Sequence, residues 1–163
     1  MTPVYISIGS NINRGANIRS AIAALRSRFG SLIVSPVYES EAVGFKGAAF
    51  YNAAVGWQTE TDAPVLNAEL RAMERIHGRR RSEAKFCSRS LDLDLLIWGD
   101  AVIQRPDLIL PRPEILEQAY VLRPLADIAG DMRHPRDGRT LRELWLQLKP
   151  NAQPIRPVEL DLG

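Results

Sequence analysis

The amino-acid sequence predicts an α+β protein in which helices flank an antiparallel sheet. Apolar strand-like segments and amphipathic helical segments are mixed along the chain without strict β-α-β alternation. The 163 residues contain no internal repeat, low-complexity tract or linker. We therefore expect a single domain over residues 1–163, with enough chain to bury a core.

The composition is ordinary for a globular protein. Charged residues make up 25% and hydrophobic residues 45% of the chain, and the formal net charge is +2. That charge is too small to indicate a nucleic-acid or membrane partner. The single cysteine, Cys87, excludes an internal disulfide and fits a reducing compartment. Because no apolar run approaches membrane-spanning length, we expect a cytoplasmic protein.

The first half of the chain is predicted to contain three strands and two helices. The alternating segment "VYISI" predicts the first strand, and "GSN" after it predicts a turn. Apolar residues at helical spacing predict a helix that ends at Gly30. The segment "LIVSPVY" predicts a second strand with Pro36 at an edge or bulge. A third strand, "FYNAAVGWQTE", precedes a helix that ends at Gly78.

The second half begins with a basic loop and a strongly apolar strand. Two short extended segments, "AVI" and "LIL", follow. The segment "PEILEQAYVLRPLADIAG" predicts a helix broken by Pro124. Thr140 and Glu143 have the spacing of a capping box before the last helix. Residues 150–163 are rich in proline and are predicted to form an extended C-terminal tail.

Two aspartates interrupt the apolar strand "SRSLDLDLLIW". Side chains alternate along a strand, so Asp92 and Asp94 point to one face and the neighbouring leucines to the other. Two carboxylates so close repel each other unless a cation lies between them. Mg²⁺ typically binds one or two protein carboxylates together with phosphate oxygens. The alternative is a strand whose aspartate face is simply open to water.

A basic loop leads directly into the aspartate strand. Its basic residues are Arg79, Arg80, Arg81, Lys85 and Arg89. An isolated run of this kind is usually a solvated surface. Metal-binding carboxylates next to arginines, however, indicate a site for a polyphosphate. Arg89 is the best placed of these residues because it lies just before Asp92.

A second candidate site lies on the third strand, where Phe50 and Asn52 share a face. An aromatic ring and an amide together can bind a flat heterocycle by stacking and hydrogen bonding. The alternative is that Phe50 belongs to the core and Asn52 closes a backbone turn. The sequence contains no Walker or Rossmann glycine motif and no zinc-ligand spacing.

The ordered motifs "SIGSN", "FYNAAV", "GRRR", "RSLDLDLL", "LRPLADIA" and "HPRDGR" resemble those of the 6-hydroxymethyl-7,8-dihydropterin pyrophosphokinase family. The resemblance runs from about Val4 to about Leu148. It implies a single-domain protein with a ferredoxin-like fold, and we expect this protein to be a monomer. It also implies transfer of pyrophosphate from ATP to the pterin hydroxymethyl group, with release of AMP, in folate biosynthesis.

The resemblance implies roles for individual residues. Asp92 and Asp94 match the pair that binds two Mg²⁺ ions, and with Arg79 and Arg89 they match the catalytic positions. The pterin-binding positions are Ser40, Val43, Phe50, Asn52 and Tyr120. The ATP-binding positions are Glu74, Arg79, Lys85, Arg89 and Arg112.

Four positions depart from the family's usual pattern. Cys87 and Ser88 replace a Gly-Pro pair, Arg112 replaces a histidine and Gln118 replaces an arginine. We interpret the chain as a member of a subgroup with a rearranged ATP site.

Two other functions remain open. One is a nucleotidyltransferase-like enzyme that uses the aspartate pair on a different acceptor. The other is a ferredoxin-like domain whose basic loop binds RNA. The absence of an RNP-type aromatic pair speaks against RNA, and without metal the aspartates would repel phosphate.

Overall fold

The structure, a computed structural model, describes residues 1–41, 47–78 and 91–162. The strands are β1 (Thr2–Ser10), β2 (Ile33–Val34), β3 (Val37–Ser40), β4 (Phe50–Thr59), β5 (Asp92–Trp98), β6 (Ile103–Arg105), β7 (Leu108–Leu110) and β8 (Ile155–Val158). The α-helices are α1 (Arg14–Phe29), α2 (Ala63–Ile76), α3 (Ala119–Ala129) and α4 (Leu141–Leu148). Two short 3₁₀ helices cover Pro113–Leu116 and Lys149–Asn151.

Six strands form one sheet in the order β5-β1-β4-β3-β8, with β2 also paired to β4. All of these pairs are antiparallel. Strands β6 and β7 form a separate hairpin. The long strands β1 and β4 lie in the middle, where each is hydrogen-bonded on both sides. The predicted α+β fold with an antiparallel sheet is confirmed.

Each face of the sheet is covered by helices. On one face, Ile6 and Ile8 of β1 pack with Ile22 of α1 and Leu70 of α2. On the other face, α3 and α4 bury a second apolar cluster that includes Leu96 of β5. Side chains alternate between the two layers along β1 and the first half of β5, and a register shift beside Tyr5 and Ile6 places both Leu96 and Ile97 in the second cluster.

Helix ends follow local sequence signals. Helix α1 ends before Gly30, whose φ of 84° suits a residue without a side chain. At the start of α4, Thr140 accepts a hydrogen bond from the backbone of Glu143, and the Glu143 carboxylate accepts one from the backbone of Thr140. The predicted helix end at Gly30 and the predicted capping box are both confirmed.

Three local predictions were wrong. Gly9 belongs to β1 and pairs with β4, so "GSN" does not begin a turn at its glycine. Pro36 has no N–H to donate, and it separates β2 from β3 instead of lying within one strand. Pro124 does not break α3, because buried residues on both sides of it hold the helix on the sheet. The helix instead begins after Gln118.

The C-terminal residues include a strand. Residues 155–158 form β8, which pairs with β3 at the edge of the sheet. Beyond it, Leu160 and Leu162 pack against the core, and Arg19 Nε donates a hydrogen bond to the carbonyl of Asp161 at 2.8 Å. This segment joins α1 to the sheet edge. Across the described ranges, no helix combines the length and apolarity needed to cross a bilayer.

Candidate active site

Three residues on neighbouring strands form a row across the sheet. Gly9 in β1 is in register with Asn52 in β4 on one side and with Asp92 in β5 on the other. Adjacent strands are about 4.8 Å apart, so the backbones of Asn52 and Asp92 are about 10 Å apart. The row therefore connects the predicted heterocycle site with the predicted metal site.

Gly9 keeps the middle of this row open. A β-carbon built on Gly9 would lie 3.4 Å from Asn52 Oδ1, 3.9 Å from the Cβ of Asp92 and 3.9 Å from the ring of Phe50. All three side chains thus surround the space above one glycine. A larger residue at this position would fill the space between the amide and the carboxylate.

Asp92 and Asp94 lie on the face away from the leucine layer. Leu91, Leu93 and Leu95 are buried in the cluster under α1 and α2, and the register of β5 with β1 is regular from Leu95 to Asp92. Alternation therefore turns both aspartates to the α3 side. Asp92 is almost fully buried, and the Asp94 side chain is 20% exposed.

Two charged side chains of α2, Arg71 and Glu74, contact the backbone of the edge strand β5. The buried carboxylate of Glu74 accepts a hydrogen bond from Leu93 N–H at 2.7 Å, and Arg71 Nη2 donates to the carbonyl of the same residue. Arg71 Nε lies 3.2 Å from Glu74 Oε1. The two side chains thus satisfy the backbone of the edge strand between the two aspartates.

Burial of Glu74 is not fully compensated by its partners. Loss of water raises the pKa of Glu74 to about 8, although the Arg71 guanidinium and the Leu93 N–H both favour the carboxylate. The negative charges of Asp94 and Asp92 raise the pKa further. Glu74, which is predicted to bind ATP, contacts the backbone of β5 between Asp92 and Asp94.

A second arginine reaches Asp94 from a different element, the segment just before the 3₁₀ helix Pro113–Leu116. Arg112 Nη2 lies 3.7 Å from Asp94 Oδ1, and Arg112 Nε donates to Glu114 Oε2 at 2.5 Å. Its backbone N–H donates to the carbonyl of Leu96 at 2.9 Å, which fixes it beside β5. Burial disfavours the charged form of Arg112, but the carboxylates of Asp94 and Glu114 outweigh this effect, and its pKa is raised.

The predicted heterocycle site is anchored by buried polar contacts. Asn52 is buried, and its Nδ2 donates a hydrogen bond to Ser40 Oγ at 2.7 Å. This bond fixes the amide, whose Oδ1 faces the space above Gly9. Phe50 is in register with Ser40. Tyr120 is the second residue of α3, the helix that packs against β4.

Two residues near the end of β1 hold the chain that leads into Phe50. Asn11 Nδ2 donates to the carbonyl of Ala48 at 3.0 Å, and Arg14 Nη1 donates to that of Ala49 at 2.8 Å. Arg14 also stacks over the Tyr51 ring at 3.9 Å from its centroid. The end of β1 thus orients the start of β4.

The structure brings most of the described candidates together. Gly9 is surrounded by Phe50, Asn52 and Asp92, and Ser40 joins this group through its hydrogen bond with Asn52. Glu74 and Arg112 lie beside the two aspartates. The predicted residues Val43, Arg79, Lys85 and Arg89 lie outside the described residues, as do Cys87 and Ser88.

Sequence reasoning missed Gly9, Asn11, Arg71 and Glu114. A signal existed for two of these four residues. Gly9 and Asn11 belong to the motif "SIGSN", which was interpreted only as a strand followed by a turn. The spacing of Arg71 and Glu74 places both on one face of α2 but does not indicate that this face meets β5.

The carboxylate set fits Mg²⁺ that arrives with phosphate. Within the described part of the chain, no group of three or more His, Cys, Asp or Glu side chains is arranged to hold a metal ion. Two aspartates on one face supply the one or two protein ligands that Mg²⁺ usually takes, and phosphate oxygens and water complete its shell. Paired carboxylates beside arginines and a heterocycle pocket are typical of enzymes that transfer phosphoryl groups from a nucleotide.

Comparison with known proteins identifies the family. Residues 5–130 match the model of 7,8-dihydro-6-hydroxymethylpterin-pyrophosphokinase. The 2-amino-4-hydroxy-6-hydroxymethyldihydropteridine pyrophosphokinase of Synechocystis is 35% identical over 162 residues, which cover 97% of this chain and 82% of that one. The Pseudomonas aeruginosa enzyme of the same name is 36% identical, with 86% and 88% covered. The chain belongs to this pyrophosphokinase family.

Longer proteins also contain a similar unit. The folic acid synthesis protein fol1 of Pneumocystis carinii is 40% identical over 158 residues, and the match spans 95% of this chain but 21% of that protein. A crystal structure of Plasmodium falciparum HPPK-DHPS, a triple mutant with SDX-DHP, superposes with a TM-score of 0.71 at 13% identity. The superposed region covers 90% of this chain and 41% of the Plasmodium falciparum chain. At 13% identity, this similarity shows the fold alone.

Proposed function

We propose that this enzyme transfers the β,γ-pyrophosphoryl group of ATP to the hydroxymethyl oxygen of 6-hydroxymethyl-7,8-dihydropterin, giving the pterin diphosphate and AMP. The single observation that carries this proposal is the row Asn52–Gly9–Asp92. It places a fixed amide, an open space and a carboxylate side by side. Family membership supplies the identities of the donor and the acceptor.

The pterin ring lies over Gly9 in this proposal. Asn52 Oδ1 faces that space, and Ser40 holds the amide in one orientation, so the acceptor for ring N–H groups is fixed before the ligand arrives. Phe50 stacks on one face of the ring and Tyr120 covers the other. We propose that Val43 also contributes to pterin binding.

The triphosphate lies next to the aspartates. Two bound Mg²⁺ ions, held by Asp92 and Asp94, would neutralise charge on the phosphate oxygens. Arg112, which lies 3.7 Å from Asp94, and Glu74, which accepts the Leu93 N–H, border the same site. We propose that Arg79, Lys85 and Arg89 also bind the phosphates.

The reaction is an in-line substitution at the β-phosphorus. The hydroxymethyl oxygen forms a bond to that phosphorus while the bond from the β-phosphorus to the oxygen shared with the α-phosphate breaks, and AMP leaves with that oxygen. The row of residues directs the hydroxymethyl group from the Asn52 side towards Asp92. Asp92 is in register with the same residue as Asn52, and the hydroxyl proton passes to one of the two aspartates, Asp92 or Asp94. Positioning and charge neutralisation supply the rate enhancement.

We further propose that the enzyme acts as a monomer in the cytoplasm and has no nucleic-acid or membrane partner. The near-neutral charge and the paired aspartates support the absence of a nucleic-acid partner, because a phosphate backbone would be repelled from the site unless metal were present.

A calorimetric titration tests acceptor recognition. The protein is first saturated with Mg²⁺ and an ATP analogue that carries a methylene group between the α- and β-phosphorus atoms. Titration with 6-hydroxymethyl-7,8-dihydropterin should then give saturable binding with one site. The pterin without its hydroxymethyl group should also bind, because the ring is what Asn52 recognises. Absence of binding by both pterins would exclude the proposed acceptor.

A further inference from the structure

Two arginines converge on one oxygen of Asp94. Arg71 Nη2 lies 3.4 Å and Arg112 Nη2 lies 3.7 Å from Asp94 Oδ1. Arg71 belongs to α2, and Arg112 immediately precedes the 3₁₀ helix Pro113–Leu116, so they reach the carboxylate from different elements. Asp94 is also one of the two predicted metal ligands. Metal and arginine therefore compete for the same position.

Each arginine has a second acidic partner on its far side. Arg71 Nε lies 3.2 Å from Glu74 Oε1, and Arg112 Nε lies 2.5 Å from Glu114 Oε2. If Asp94 is taken by a metal ion, Arg112 keeps the Glu114 carboxylate as a counter-ion, and Arg71 keeps its contact with the Glu74 carboxyl group. Arg71 also keeps its bond to the carbonyl of Leu93. Release of Asp94 consequently leaves neither guanidinium without a polar partner.

We propose that Arg71 and Arg112 act as counter-cations of Asp94 when no metal ion is bound. Mg²⁺ displaces the two arginines from Asp94 only when it arrives with nucleotide. Without nucleotide, a metal ion must compete with two guanidinium groups for one carboxylate oxygen. With nucleotide, the triphosphate brings negative charge that the same two arginines stabilise. Both are positioning residues that couple metal binding to nucleotide binding. The inference rests on the proposed function, because it assumes that the site binds Mg²⁺ and ATP.

Neutral substitutions separate this role from a purely structural one. Arg71→Gln and Arg112→Gln remove a positive charge but keep a side chain that can donate hydrogen bonds. Removing a cation from beside Asp94 should strengthen the binding of metal alone by roughly five- to tenfold. The same change should weaken the binding of the Mg²⁺ complex of the methylene ATP analogue by a similar factor. A residue that only stabilised the fold would weaken both.

The measurement is a titration of the protein with Mn²⁺ in the absence of nucleotide, in which electron paramagnetic resonance reports the free metal. Calorimetry then measures the nucleotide analogue with Mg²⁺. Arg28→Gln is the matched control. Arg28 pairs with Glu69 at 2.9 Å, so this substitution removes the same charge away from the site. Arg71→Lys and Arg112→Lys keep the charge and should stay close to wild type. Thermal melting of every variant verifies that it is folded.

Opposite changes in the two affinities would support the inference. Metal-only binding that is unchanged or weaker in both glutamine variants would overturn it, whatever their effect on the nucleotide. The proposed function is judged separately by AMP formation in the wild-type protein. Wild-type activity together with unchanged metal binding would therefore reject the counter-cation role and leave the reaction assignment intact.

Discussion

Asn52 and Asp92 stand in register with the same residue, Gly9, from opposite sides of β1. One is a buried amide whose orientation is fixed by Ser40, and the other is a nearly buried carboxylate. The sheet itself sets their separation, since strand spacing hardly varies. The geometry that joins acceptor recognition to phosphoryl transfer is thus built into three adjacent strands, β4, β1 and β5.

The open space above Gly9 provides a direct test of this geometry. Gly9→Ala places a methyl group at ordinary contact distance from Asn52 and Asp92, so the fold should survive with a melting temperature within about 5 °C of wild type. Pterin binding should nevertheless fall by roughly tenfold or more, because the methyl group occupies the ligand's space. Calorimetry and thermal melting measure the two effects.

Gly15→Ala is the control for the Gly9 variant. Gly15 lies in α1, and its added methyl group would meet Leu160 at 3.5 Å, away from the row. It should leave pterin binding unchanged. Normal pterin affinity in Gly9→Ala would mean that the ligand does not lie over this strand.

The amide of Asn52 should act on the acceptor and not on the donor. Asn52→Ala removes one buried hydrogen-bond acceptor and should weaken pterin binding by about tenfold, or about 1.4 kcal/mol, with little change for ATP. Ser40→Ala should cause a smaller loss, since it only frees the orientation of the amide. Separate titrations with the pterin and the nucleotide analogue measure this. Equal losses for both ligands in Asn52→Ala would move Asn52 out of the pterin pocket.

The two aspartates should be essential for the reaction but not for the fold. Asp92→Asn and Asp94→Asn keep size and shape but remove a metal ligand charge, and AMP formation should drop by about a hundredfold or more in each. Circular dichroism should remain that of wild type. Asp107→Asn is the control, because Asp107 is an exposed aspartate that pairs with Arg105 at 3.3 Å. Wild-type turnover in either site variant would end the metal assignment.

His134 should make stability depend on pH. Burial lowers the pKa of His134, and its Nδ1 accepts the backbone N–H groups of Arg136 at 3.2 Å and Asp137 at 3.0 Å. The folded protein favours the neutral form of the His134 ring. The contribution of this ring to stability is therefore fully present above the pKa that His134 has in the unfolded chain. Stability is then lost as pH falls through the lowered pKa.

The corresponding measurement is chemical denaturation between about pH 7 and pH 5. In His134→Asn the side-chain oxygen can accept the same N–H groups, but it does not titrate. The variant should therefore lose less stability over this range than wild type. An identical pH dependence in both proteins would show that other groups are responsible.

The sequence predicted the antiparallel α+β fold, and strand alternation gave the shared face of Asp92 and Asp94. These features depend on local periodicity, which a sequence displays directly. Pro124 was misjudged because packing on both sides of it outweighs the missing hydrogen bond. Arg71 was missed because its importance depends on α2 lying along the edge of β5, a tertiary contact without a local signal.

Product analysis tests the central claim most directly. Purified protein is incubated with Mg²⁺ and ATP, with and without 6-hydroxymethyl-7,8-dihydropterin, and the nucleotide products are separated. We expect AMP in an amount equal to the pterin diphosphate, and only when the pterin is present. ADP or free pyrophosphate as the product, or AMP formed independently of the pterin, would contradict pyrophosphoryl transfer.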